Sequence, residues 1–236
     1  MIIDVRDLRF SWRRDGPAVL MLDELSIPAG EQVFVEGPSG SGKSTLLSLL
    51  AGVTTPQRGT LSVLGQRLDR LGSVQRDHFR AHHIGYIFQM FNLIPYLSVV
   101  ENVVLPCRFS ARRRAKAVER AGSLEQAALR LLGHLDMTDG ELLARPVTTL
   151  SVGQQQRVAA ARALMGSPEV LIADEPTSSL DASRREAFIK LLFDECRAAG
   201  STLVFVSHDA ALASLFDRRI DLAHLNRAAA PAAAQA

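Results

Sequence analysis

Apolar and polar positions along the chain change period several times, and each change predicts an element. Over residues 1–10, Ile, Val and Leu alternate roughly with Asp and Arg, the pattern of a strand with one face in water. Arg14-Asp15-Gly16-Pro17 reads as a turn, Val19 to Ile27 as a second strand, and Pro28-Ala29-Gly30-Glu31 as a turn into the apolar run Val33-Phe34-Val35. Leu46, Leu47, Leu49 and Leu50 then fall at helical spacing, with Gly52 as a stop. Early hairpins followed by a strand–loop–helix unit predict an antiparallel sheet beside a parallel one. Thr54 to Thr60, holding Pro56 and Gly59, reads as loop, and Leu61-Ser62-Val63 as strand. A short helix is predicted over Arg76 to Arg80, then a buried strand over Ile84 to Phe88 that ends at Gln89.

From there to about Thr149 the strand period disappears. Ser98-Val99-Val100-Glu101 has the S-x-x-E form of a capping box and Ser123-Leu124-Glu125-Gln126 repeats it. The helix after Ser123 carries Ala127, Ala128, Leu131 and Leu132, with Gly133 to close it. This block predicts an all-helical insertion in an α/β core. The core resumes with a helix from Ser151 to about Met165 and a buried strand over Val170 to Ala173. A helix from about Ser183 runs to Gly200, followed by a buried strand over Thr202 to Val206. Asp209 to Phe216 reads as helix, Ile220 to Leu225 as a last strand, and the Ala-rich stretch from Arg227 to Ala236 as a loose tail.

Composition narrows the class without naming a function. The 236 residues are 47% hydrophobic and 22% charged, ordinary for a globular protein. Lys plus Arg number 27 and Asp plus Glu 25, a net charge of +2, so whole-chain charge makes no case for nucleic acid. No apolar run approaches the ~18 residues of a membrane span, and Met1-Ile2-Ile3-Asp4 is unlike a signal peptide. Cys107 and Cys196 stand far apart and read as two reduced thiols. Arg112-Arg113-Arg114 with Lys116 reads as a solvated helix face, or as a patch for anionic lipid headgroups.

The candidate chemistry lies at the ends of the apolar strands. Gly37-Pro38-Ser39-Gly40-Ser41-Gly42-Lys43-Ser44-Thr45 fits G-x-x-x-x-G-K-[ST], between a strand and a helix as that motif needs. Its glycines let the backbone N–H groups approach phosphates, and the helix that follows presents its positive end to them. Lys43 suits the β/γ oxygens and the Ser44 hydroxyl suits magnesium. Val170 to Ala173 runs straight into Asp174-Glu175. Acids at the end of a buried strand are costly without partners. A magnesium ion beside the phosphates gives Asp174 one, and Glu175 is then placed to orient and deprotonate a water. Leu150-Ser151-Val152-Gly153-Gln154 opens another helix, and a small hydroxyl and a glycine at a helix start can receive a phosphate. Since one loop already holds the nucleotide, a second anion site implies a second nucleotide or a site completed by another subunit.

Taken together, these pieces resemble the nucleotide-binding subunit of an ATP-binding cassette (ABC) transporter, in the family's order from about Ile2 to Leu225. The resemblance implies a P-loop NTPase core with an N-terminal antiparallel β-subdomain and an inserted all-helical subdomain over about residues 90–165. It implies one ATPase domain over residues 2–226 and a flexible tail over 227–236. Residues 37–45 correspond to the Walker A loop, Val170 to Glu175 to Walker B, and Leu150 to Gln154 to the signature, in which Ser151 and Gly153 make the phosphate contacts. Gln89 stands where the family has a magnesium-sensing glutamine. Asp181, in Ser178-Ser179-Leu180-Asp181, stands in the loop that crosses between subunits, and His208 where the family has its γ-phosphate histidine. Val152 departs from the usual glycine. The adenine-stacking aromatic is Trp12 by alignment, with Phe10 as the alternative.

The family geometry needs two cassettes and this chain has one motif set, so it is expected to pair with itself around ATP and Mg2+. Met90, Phe91, Leu93 and Ile94 lie where the family receives a helix of its membrane partner. Phe91 to Pro95, Glu101-Asn102-Val103 and Gln154 to Arg157 most resemble the lipoprotein-release, macrolide-export and cell-division ATPases. Their partners are four-span membrane proteins with large external domains, so the expected location is the inner face of the cell membrane. A small-solute importer is the alternative, and a soluble kinase using the same loop is the third.

Overall fold

The structure is a computed structural model that describes residues 1–178, 180 and 182–229. In chain order it runs β1 (Ile3–Phe10), β2 (Leu20–Ile27), β3 (Gln32–Glu36), α1 (Lys43–Leu50), β4 (Arg58–Val63), β5 (Gln66–Arg67), α2 (Ser73–His83) and β6 (Ile84–Ile87). The helical block follows as α3 (Val99–Val104), α4 (Pro106–Phe109), α5 (Ala111–Ala121), α6 (Leu124–His134) and α7 (Gly140–Ala144). Then come α8 (Val152–Leu164), β7 (Val170–Asp174), α9 (Ala182–Ala199), β8 (Thr202–Val206), β9 (Arg218–Asp221) and α10 (Leu222–Leu225).

Two sheets form, as the two periods require. The first is antiparallel with strand order β2-β1-β4-β5; the second, order β6-β7-β8-β3-β9, is parallel at every pairing. Strands β3 and β8 are buried at all five positions, which is why they read as unbroken apolar runs rather than alternating ones. One face of the parallel sheet, with Phe34, Ile87, Leu171 and Phe205, packs against the helical side. The other face, with Val33, Val35, Ile172 and Val204, packs against α1 and the antiparallel sheet. Helix α8 lies so close to β6 that a Cβ on Gly85 would come within 2.3 Å of the Ala163 carbonyl oxygen.

Several expectations shift. Residues Arg58–Thr60, expected as loop, already pair with β1 across a register break at Arg6/Arg9. Gly59, at φ 85°, sits where a Cβ would meet the Asp7 carbonyl. Gly133 does not stop α6, which runs on to His134. The last strand is Arg218–Asp221, and Leu222–Leu225 turns into a helix because the Asp221 side chain caps the Ala223 N–H. Of the tail expected over residues 227–236, Arg227–Ala229 instead forms a 3-10 turn, and residues 230–236 lie outside the described residues.

The basic cluster on α5 is the largest correction. Arg113 is buried, and its guanidinium donates to the carbonyls of Met165 (2.7 Å), Ala163 (2.6 Å) and Ile84 (3.4 Å). Burial pulls its pKa down to about 10. Arg112, Lys116 and His83 converge on Glu169 at 2.5, 2.7 and 2.9 Å. Burial opposes the Glu169 charge, but the hydrogen bonds from Lys116, Arg112 and His83 outweigh it and bring the pKa to about 2. The run of like charge is a clamp between the helical block and the core.

Candidate active site

The phosphate loop is shaped by backbone angles more than by side chains. Gly40 and Gly42 take φ of 81° and 100°, a region that L side chains avoid. A Cβ on Gly42 would also sit 2.8 Å from Leu20 Cδ2. Gly42 is the N-cap of α1, and no side chain caps it, so the first-turn N–H groups keep their capacity for an anion. The Lys43 ammonium donates to the carbonyls of Gly37 (2.6 Å) and Pro38 (3.1 Å), drawing the loop around it. Together Gly37, Pro38, Ser39, Gly40, Gly42, Lys43, Ser44 and Thr45 wall a cavity of about 790 Å³ whose other side holds Glu175 and His208. Ser41 is turned inward and buried instead.

Parallel pairing delivers Glu175 to this cavity. Asp174 ends β7 opposite Val206 of β8. Burial raises its pKa and the neighbouring Glu175 charge adds to that, against Lys43 and a hydrogen bond from the Tyr86 hydroxyl. Glu175 leaves the strand at φ 47°, its N–H bonded to the Val206 carbonyl at 2.9 Å. This unusual backbone aims the side chain at His208, whose Nδ1 lies 2.6 Å from Glu175 Oε2.

Other expected residues lie apart from that cavity. Ser151 caps α8: its hydroxyl accepts from the Gln154 N–H (3.3 Å) while Gln154 Oε1 accepts from the Ser151 N–H (2.9 Å). Ser151, Gly153 and Gln154 border a separate cavity of about 290 Å³ with Leu180 and Phe188. Gln89 is exposed past the end of β6, and neither it nor Asp174 is in the wall of the phosphate cavity. Trp12 is 61% exposed with Phe10 edge-on at 5.0 Å, and Phe10 is buried, so only the indole is free to stack. Asp181 lies outside the described residues.

The expected coupling loop divides. Met90 is 81% exposed and Leu93 and Ile94 are half-buried, but Phe91 is turned into the core. Phe91 therefore belongs to the packing, not to a free surface. The cause is a pair of consecutive left-handed residues, Phe91 and Asn92. Their carbonyls accept from the buried guanidinium of Arg162 at 2.5 and 2.6 Å.

Three further residues shape these sites: Arg162 and Glu36 have no role in the sequence reading, and Asn102 enters it only through the subgroup resemblance. Arg162 and the buried Asn102, which bonds the backbone at Ile94, fix the loop after Gln89. Glu36 ends β3, lines the phosphate cavity and pairs with Arg219. Each has a signal in retrospect: a polar residue inside an apolar run, the same anomaly that marked Asp174.

The sequence model of the ABC transporter family matches residues 20–178, more than half of the chain. The chain belongs to the ABC transporter family. It is 43% identical over 199 residues to the uncharacterized ABC transporter ATP-binding protein YbbA of Escherichia coli K12, covering 84% of this chain and 83% of that protein. To the lipoprotein-releasing system ATP-binding protein LolD of Bacteroides fragilis it is 38% identical, over 84% of this chain and 88% of that one. The macrolide export protein MacB of Chromobacterium violaceum is 40% identical over 89% of this chain but only 32% of its own length. Among solved structures, the dimeric ABC cassette MJ0796 superposes at TM-score 0.81 with 34% identity over 93% of both chains. A dimeric post-hydrolysis form of it bound to ADP and Pi gives 0.80 and 33%. This ABC cassette is thus an ATP-hydrolysing subunit of the group that includes LolD and MacB. No helix among the described residues is long and apolar enough to cross a membrane.

Proposed function

We propose that two copies of this chain close around two ATP molecules and pass that closure to a separate membrane permease. Each nucleotide lies between the phosphate loop of one copy and the Ser151/Gly153 helix start of the other. The observation that carries this reading is the separation of two anion-accepting features within one chain. The cavity of residues 37–45 and the cavity at Ser151 share no lining residue, so a second copy is needed to bring them to one nucleotide.

In that arrangement the loop N–H groups and Lys43 bind the phosphates, and Trp12 stacks on adenine. Glu175 orients the attacking water and takes its proton, while His208 donates a hydrogen bond to the γ-phosphate. The residues present fit a magnesium ion: the Ser44 hydroxyl lines the cavity, and Asp174 has a carboxylate whose charge burial and Glu175 oppose. A magnesium ion keeps several waters and phosphate oxygens in its shell and needs few protein ligands. Ser44, Asp174 and Gln89 would hold it, and it would supply neutralisation of phosphate charge.

In this reading the permease has four spans and a large external domain and works in export, lipoprotein release or transmembrane signalling; likeness to LolD and MacB supports the release and export roles. Exposed Met90 and half-buried Leu93 and Ile94 then form the surface offered to it, and the chain works at the inner face of the membrane. Asp181 is the residue of communication between the two copies. The test is Glu175→Gln: hydrolysis falls by about 10²–10⁴-fold, and the variant elutes as an ATP-dependent dimer. A chain that stays monomeric in saturating ATP with its co-purified membrane partner present sinks the proposal.

A further inference from the structure

Arg185, in the first turn of α9, holds two groups that no motif connects. One arm, Nη2, donates to the Leu180 carbonyl at 2.9 Å; the other, Nη1, is bonded to Asp209 Oδ2. Leu180 borders the cavity at Ser151, and a Cβ on Gly153 would stand 3.8 Å from Leu180 Cδ2. Asp209 follows His208 directly, and its remaining oxygen, Oδ1, accepts from the Ala211 N–H at 3.1 Å and starts the turn after it. Its own N–H donates to Ser207 Oγ at 3.1 Å, so the backbone on both sides of His208 is held through this one residue. From His208 the path closes on Glu175 at 2.6 Å. A single guanidinium therefore joins the rim of one half-site to the acid and histidine of the other, within one chain. Arg185 is largely buried against Asp209, and the two side chains are 23% and 28% exposed. A planar fork reaches both acceptors at once, which a lysine ammonium cannot do with the same geometry.

We propose that Arg185 is a positioning residue that couples the Ser151/Gly153 half-site of a copy to that copy's own Glu175–His208 pair, so that nucleotide closing on one face biases hydrolysis at the other. This rests on the two-copy reading above, because only there do both half-sites hold nucleotide. A bond network of this kind is established by coupling measurements rather than by proximity.

The experiment measures ATP hydrolysis against MgATP concentration for the full chain and for Arg185→Ala, Arg185→Lys, Asp209→Asn and the Arg185→Ala/Asp209→Asn double variant. Asp209→Asn keeps the Oδ1 acceptor that starts the following turn, so it tests the link even where Arg185→Ala fails to fold. Expected are a Hill coefficient falling from about 2 toward about 1 and a kcat about 10-fold lower with half-saturation little changed. The two single changes should be non-additive in the double variant, and Arg185→Lys should recover the effect only in part. A native Hill coefficient in soluble Asp209→Asn or Arg185→Ala overturns the inference, as do additive losses or a native chain without cooperativity. Failure of Glu175→Gln to dimerise with ATP, with Arg185 intact, identifies instead a failure of the two-copy reading.

Discussion

The phosphate cavity and the seam between the helical block and the core are both rich in polar groups, and they differ in how those groups are used. At the seam most are spent, Gln156 on α8 excepted, whose amide is buried without a partner among the described residues. Arg113 has three carbonyls, Glu169 has three cationic donors, Asn102 bonds the backbone at Ile94 and Leu97, and Arg162 holds two carbonyls. In and beside the phosphate cavity capacity is left over. Helix α1 has no side-chain cap, and Glu36 Oε2 and Ser41 Oγ are buried without a partner among the described residues. Asp174 sits with its pKa raised first by burial and then by Glu175. Saturated polar groups fix geometry, whereas unsaturated ones carry a cost that a ligand can offset.

That contrast predicts opposite responses to substitution. The largest effect belongs to the cavity: Glu175→Gln should lose about 10²–10⁴-fold in turnover while its denaturant midpoint stays near native. At the seam, Arg113→Ala should instead cost about 3–5 kcal/mol of stability, because it strands buried carbonyls and opens a void. Chemical denaturation measures that cost, and half-saturation by ATP in the folded fraction should be unchanged. If Arg113→Ala were neutral in stability, the seam would not be the clamp described here.

Acid provides a gentler probe of the same seam. The folded pKa of Glu169 lies at about 2 against an ordinary value of 4.5, so its ionised form favours the folded state. The contribution is complete above about pH 4.5 and is lost as pH falls toward 2. Solvent screening at a partly exposed site limits it to about 1–2 kcal/mol. Glu169→Gln should remove that part of the acid-unfolding slope, and an unchanged slope between those pH values would contradict the assignment. The smallest effect is at the start of α3, where Ser98 and Glu101 cap each other at 3.2 and 2.9 Å. Ser98→Ala should cost about 1 kcal/mol, read as a thermal shift of a few degrees with kcat intact.

Periodicity and local motif together made the two sheets, the helical block and the phosphate loop legible, because each depends on residues close in sequence. The capping box at Ser98 could be read for the same reason. The one at Ser151 was equally local, Ser151 to Gln154, and was overshadowed by the reading of that stretch as a phosphate site. The basic run at Arg112 to Lys116 could not be read correctly. Its partners, Ile84, Ala163, Met165 and Glu169, lie far along the chain and are brought near by packing alone. Phe91 was misjudged likewise, since the carbonyls that hold its turn point to an arginine 71 residues away.

By itself, then, the order of residues determined the local parts: a glycine-rich loop between a strand and a helix, acids at the end of a buried strand, and a helix start capped by Ser151 and Gln154. Tertiary structure alone decided the assembly of those parts. Parallel strand register set Glu175 against His208, packing left the Ser151 helix start and the loop of residues 37–45 on cavities that share no lining residue, and α9 brought Arg185 to both Leu180 and Asp209. Local patterns encode backbone geometry and residue type, while the distance between groups remote in sequence exists only once the core has packed.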